Sequence, residues 1–258
     1  MSHPEADRPQ TPESGRGRAR DVVVAVVFAR GAPNLAALAL HAAGIHIHQP
    51  ASIFLIDGPG AIAACVLVTR WRSWERVGWR EPMPRTPWLL WLPALLFLLS
   101  ATSTKVVRTG PGYVVVSALA VLLVGFTEEM WFRGLLLTAL MPRGAWFAVV
   151  TSSVLFGALH LLGFGAYGIR SVVTQAVQAF AIGLMFAAGR VRTGSLWPVM
   201  VLHAAFDFVG FLHGNVKPAP ITRTAVPSLI ALTAVSLAYA LVLTRRSKVP
   251  GGGVTAPA

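Results

Sequence analysis

Windows of roughly twenty apolar residues, the length that crosses the hydrocarbon core of a bilayer, recur along this 258-residue chain. They lie at approximately 21–43, 52–69, 88–104, 112–140, 145–163, 171–189, 195–212 and 225–244. Lipid leaves no water to pair with exposed backbone, so such segments are expected to be helices. With 55% of residues hydrophobic and 12% charged, the composition agrees, and the expected fold class is all-α: a polytopic transmembrane bundle of about eight helices. The first span is irregular, with Arg30, Gly31, Pro33 and Asn34 in mid-run. It reads as a kinked span, a broken pair or an interfacial helix docked on the bundle.

The polar ends of the chain define its organisation. Residues 1–20, rich in Pro, Gly, Ser and charge, read as a disordered cytosolic tail, as do residues 245–258. Between them, residues 21–244 form one membrane domain. No small-residue cleavage site follows the first apolar run, which is therefore expected to be an uncleaved span. The net charge of +12 lacks a basic stripe with interleaved aromatics, so no nucleic-acid partner is expected. With the N-terminus inside, fifteen of the 22 Lys and Arg residues fall on the cytosolic side, five fall outside and two, Arg30 and Arg133, lie within spans. The positive-inside rule then places both termini in the cytosol, in a multi-pass protein of the plasma membrane. Trp71, Trp74 and Trp79 read as interfacial anchors. Cys65 is a lone cysteine, which excludes an intrachain disulfide and Cys-rich metal motifs.

Against this apolar background six residues stand out: Glu128, Glu129 and Arg133; His160; and His203 with Asp207. Ionisable groups at membrane depth are costly and mark functional sites. At about 1.5 Å per residue, Glu128 lies about 18 Å from the cytosolic end of its span, His160 about 23 Å, His203 about 12 Å and Asp207 about 18 Å. Side chains from three spans thus share one depth. Residues four apart lie on one helical face, so Glu129 pairs with Arg133, Phe156 stacks over His160, and His203 faces with Asp207. Arg133 is expected to neutralise Glu129 and to leave Glu128 free to address a cavity as general base, with His160 holding the same water. His203 and Asp207 would stabilise an oxyanion or orient the substrate, for which Asp207 must be protonated, bind a metal, or act only by orienting His203.

The same inventory suits Zn²⁺, with Glu128, His160, His203 and Asp207 as candidate ligands, although no HExxH run is present; a metal-free mechanism remains equally open. Ser152 and Ser153 near His160 carry no nucleophile signature. His41, His46 and His48 lie outside the common depth and read as solvated interfacial residues, and Asp57 reads as interfacial or capping. Gly163, Gly165, Gly168, Gly183 and Gly189 read as permitting turns and close helix packing.

The ordered motifs, Glu128-Glu129 with Arg133, Phe156 with His160, and His203 with Asp207, resemble those of the CPBP intramembrane proteases, relatives of the type II CAAX prenyl endopeptidase and of lysostaphin resistance protein A. RTGSLWPVMVLHAAFD, from Arg192 to Asp207, is similar to the family's last motif. The resemblance covers about residues 112–212. Asp207 stands where the prenyl protease branch has Asn. The resemblance implies an all-helical membrane hydrolase, of glutamate or metalloprotease type, that cleaves a membrane-anchored peptide or protein with Glu128 activating water and His160 assisting; the richness in Ala, Gly, Val and Arg points to a bacterial source. The rival expectation is a non-catalytic immunity or scaffold protein of the same fold. A proton-coupled transporter would also use buried Glu and His, but the spans show no inverted repeat.

Overall fold

The computed structural model describes residues 12–45, 50–82, 92–96, 110–163, 167–213, 220, 222–223 and 226–245. Among these there is no strand, and the chain is all-α. Helix α1 spans Pro12–Ala42 and α2 Ala51–Arg70. Helix α3, Pro111–Glu129, runs into a π-helical stretch, Met130–Leu136, and then α4, Leu137–Leu140. There follow α5, Ala145–His160; α6, Ile169–Thr193; α7, Trp197–Leu212; and α8, Val226–Arg245.

Four helical segments, Ser52–Arg70, Pro111–Arg143, Ile169–Thr193 and Val226–Arg245, are long and apolar enough to cross a membrane, and α5 and α7 are shorter apolar helices. Of the expected span at 88–104, only residues 92–96 are described, and they are helical. His46 and His48 also lie outside the described residues. The first span is one continuous helix despite Pro33, and it begins at Pro12, inside the stretch read from composition as a tail. Pro33 has no N–H to give to the Ala29 carbonyl. One residue on, the Asn34 side chain donates to the Arg30 carbonyl at 2.6 Å and reinforces the interrupted turn.

Close approach of helices rests on small residues, as expected where no hydrophobic force drives helices together in lipid. Helix α5 packs along α6 through Gly157, whose missing Cβ would sit 2.7 Å from the Ala176 carbonyl oxygen, and through Ser153 against Gly183. Helix α3 meets α7 at Gly125, where a Cβ would fall 2.9 Å from the Met200 carbonyl oxygen and 3.2 Å from the Ala204 side chain. Gly125 lies three residues from Glu128 on α3, and Met200 three residues from His203 on α7, so the contact sets their separation. Gly125→Val is expected to destabilise the bundle by about 1–3 kcal/mol through overpacking. Thermal unfolding in detergent measures this, and an unchanged midpoint would show that α3 and α7 do not meet at this residue.

The segment 71–82 docks onto one end of the bundle. Arg190 donates to the carbonyls of Val77 and Arg76, Thr138 donates to the Arg76 carbonyl, and Ser195 donates to that of Glu81. The Leu196 amide reaches the Gly78 carbonyl and the Trp197 indole that of Trp79. The run from Thr193 to Pro198 thereby acquires a structural meaning. Gly194, left-handed at φ 74°, ends α6; Ser195, Leu196 and Trp197 hold the docked segment; and Pro198 opens α7. Trp79, expected as an interfacial anchor, packs on Trp197, with ring centroids 4.4 Å apart, and edge-on against Phe126, so it is a docking residue. These contacts bring the segment carrying Arg72, Arg76 and Arg80 beside the end of α6 that carries Arg190 and Arg192.

Candidate active site

The π-helical turn after Glu129 is the local feature that shapes the site. All seven of its residues, Met130 to Leu136, are buried. π-helical turns inside α-helices concentrate at functional sites because the widened turn redirects the side chains around it. Across the transition, Arg133 still reaches back four residues, its Nη1 donating to Glu129 Oε1 at 2.8 Å, with both side chains fully buried. The expected pair is present. The rest of the guanidinium is enclosed by aromatic faces: its carbon lies 4.2 Å from the Phe156 ring centre, 5.8 Å from that of Phe186 and 5.9 Å from that of Phe132. Among the described residues Arg133 Nε and Nη2 and Glu129 Oε2 have no hydrogen-bond partner. Cation–π attraction therefore contributes much of what holds the charge.

Glu129 does more than neutralise Arg133. The same Oε1 accepts a hydrogen bond from His203 Nδ1 at 2.7 Å, which ties α7 to α3. A carboxylate only accepts, so Nδ1 carries a proton and the other imidazole nitrogen is left to address the site. His203 Nε2 lies 3.6 Å from Glu128 Oε2 and 3.6 Å from Asp207 Oδ2, between the two carboxylates. Asp207 keeps 30% of its side chain exposed, so the site opens on its side. Phe186 flanks His203 at 5.9 Å and, with Pro93, Leu96, Ile182, Met185, Leu202 and Phe206, lines an apolar pocket beside it.

His160 closes the group from α5. Its Nδ1 lies 2.8 Å from the Phe156 carbonyl oxygen, which can only accept, so the neutral ring presents Nε2 as an acceptor. The expected stack is edge-on: the Phe156 and His160 ring centres are 4.9 Å apart at 78°. Phe156 also meets the His203 ring edge-on at 6.0 Å and is the common wall between the histidines. His160 interacts electrostatically with Glu128. All six expected residues thus belong to one cluster.

Two expectations require correction. Glu128 is not free: Arg30 Nη2 on α1 donates to its Oε1 at 2.5 Å, and Arg30 Nη1 donates to Asp57 on α2. Asp57 is no interfacial cap, since it is 4% exposed and paired with a cation that is itself 6% exposed. Both residues belong to the site and escaped the reading of motifs, which looked within helices. The signal was there: Arg30 sits in mid-span, where a charge needs a partner, and Asp57 is an acid available from a neighbouring apolar run. Ser152 and Ser153 both hydrogen-bond the Val149 carbonyl of their own helix, which leaves neither as a nucleophile.

Glu128, His160, His203 and Asp207 do not fit a bound metal. Among the described residues no three His, Cys, Asp or Glu side chains are grouped as a metal requires. The Arg30 guanidinium on Glu128 would also repel a dication.

No curated protein matches the chain. Residues 109–209, which contain all six residues of the expected set, match the family model described as type II CAAX prenyl endopeptidase Rce1-like, a match that supports membership of the CPBP/CAAX protease family.

Proposed function

We propose that the protein is an intramembrane endopeptidase that hydrolyses a peptide bond of a membrane-anchored protein or peptide with water activated at Glu128. The observation that carries this reading is the buried chain from Arg133 through Glu129 to His203, which ends with one imidazole nitrogen between Glu128 and Asp207. A structural ion pair needs only its first two members. The third aims a donor into the open side of the site.

In this reading Glu128 removes a proton from water as the oxygen attacks the peptide carbonyl carbon. His160, whose Nε2 is an acceptor, orients the same water. The resulting oxyanion is met by His203 in its doubly protonated form, and Asp207 takes the third of its possible roles, acting only by orienting His203. The C–N bond then breaks as the proton held by Glu128 passes to the departing amine nitrogen. Residues 21–244 act as one membrane domain, with both termini in the cytosol of a plasma-membrane protein.

The test is cleavage of a library of membrane-anchored peptides, prenylated members included, by the full chain in nanodiscs, with Glu128→Gln and His160→Ala alongside and with chelator in one arm. Cleavage that both substitutions abolish and chelator spares is the expected result. Equal activity, or equal inertness, of the wild type and two folded variants would favour a scaffold.

A further inference from the structure

The family match begins at residue 109, yet the cation closest to Glu128 comes from residue 30. Glu128 is faced by Arg30 from α1, by Asp57 from α2 across that guanidinium, by Glu129 and Arg133 from its own helix, by His160 from α5, and by His203 and Asp207 from α7. Four of these groups, counting Glu128, are acids. Arg133 is already committed to Glu129, and its remaining N–H groups face aromatic rings. Only Arg30, among the described guanidinium groups, touches Glu128.

The local sequence suits this task. A buried carboxylate requires a paired, hydrogen-bonded cation to remain charged, and a guanidinium offers two edges in fixed geometry. One edge of Arg30 goes to Asp57 and the other to Glu128. Gly60 on α2 lets α3 come close beside this pair, since a Cβ there would lie 3.1 Å from the Thr127 methyl. Thr127, adjacent to Glu128, donates to the Asp57 carbonyl, and Trp131 donates to the Gly60 carbonyl, so α2 is fastened to α3 on both sides of Glu128. Asn34 holds the Arg30 backbone.

We infer that Arg30 is a positioning residue of the peptidase site: anchored by Asp57, it keeps the Glu128 carboxylate ionised and turns its second oxygen toward His203. This rests on the reading of Glu128 as the base. Helices α1 and α2 are then parts of the reaction centre, which the segment 109–209 alone does not complete.

Two measurements on the full chain test it. The first uses dicyclohexylcarbodiimide, which modifies membrane carboxyl groups in their neutral form, with labelling at Glu128 followed by peptide mass mapping. Arg30→Gln is expected to raise the labelling rate about ten- to a hundredfold, the span of a lost hydrogen bond to a charged group. Arg30→Lys, which keeps the cation, should stay near wild type. Equal labelling of the wild type and Arg30→Gln would overturn the inference. The second is cleavage kinetics: Arg30→Gln should lower kcat with KM little changed, and Arg30→Lys should restore part of the loss, whereas a purely structural role would give no such split or rescue. The labelling needs no substrate, so a wild type that cleaves nothing would sink the peptidase reading while the labelling still decides the role of Arg30.

Discussion

Replacing Glu128 by Gln is expected to lower the single-turnover cleavage rate by about 10²–10⁴-fold, the range for removal of a general base. The substitution is nearly isosteric, and the amide oxygen can still accept from Arg30 Nη2, the donor that now lies 2.5 Å from Oε1. His203 keeps its bond to Glu129, so the site's architecture should persist. What disappears is the ability to take a proton from water. Substrate affinity should therefore change little, since loss confined to kcat marks an interaction made in the transition state. A Glu128→Gln variant that cleaves at the wild-type rate would remove Glu128 from the chemistry and leave His160 to be tested as the base. Glu129→Gln offers a useful contrast, because it acts on His203 and Arg133 and should affect folding as well as turnover.

Arg133→Met is expected to destabilise the protein by about 3–5 kcal/mol, the cost of leaving one partner of a buried ion pair uncompensated. Glu129 is 0% exposed, and with the guanidinium gone it retains only His203 as a charged or chargeable partner in contact. The cation is also the centre of an aromatic box of Phe132, Phe156 and Phe186, so the substitution removes cation–π attraction as well. Combining Arg133→Met with Glu129→Leu should recover much of the stability, because an apolar replacement of a whole buried pair is often neutral or better. Activity should not return with it, since His203 loses the carboxylate that orients it. Denaturant unfolding in detergent together with cleavage separates the two effects. If the single variant lost less than about 1 kcal/mol, the pair would have to be more solvated than its burial indicates.

The parts of the site that could be read directly are those governed by the helix repeat. Glu129 with Arg133, Phe156 with His160, and His203 with Asp207 are each four residues apart, and a helix places such residues on one face whatever surrounds it. Their common depth followed from a fixed rise per residue and from the positions of the span ends. The π-helical stretch from Met130 to Leu136 had no counterpart in the pattern, since the apolar residues there suit an α-helix equally well. It arises where every residue is buried and packing decides the geometry. The TGSLW run was recognisable as a motif, but its work of pinning residues 78–81 depends on a segment more than a hundred positions away in the chain.

The same distinction governs Arg30, Asp57 and Glu128. Their separations of 27 and 98 residues carry no periodic signature, and they meet only because α1, α2 and α3 pack side by side. Sequence by itself determined that this chain is a bundle of apolar helices with a polar centre, because the costs of exposing backbone or charge to lipid act residue by residue. Tertiary structure alone decided which cation answers which carboxylate. That choice is a sum of short-range electrostatic contacts, set by where glycines such as Gly60 and Gly125 let helices approach, and no local rule of the chain encodes it.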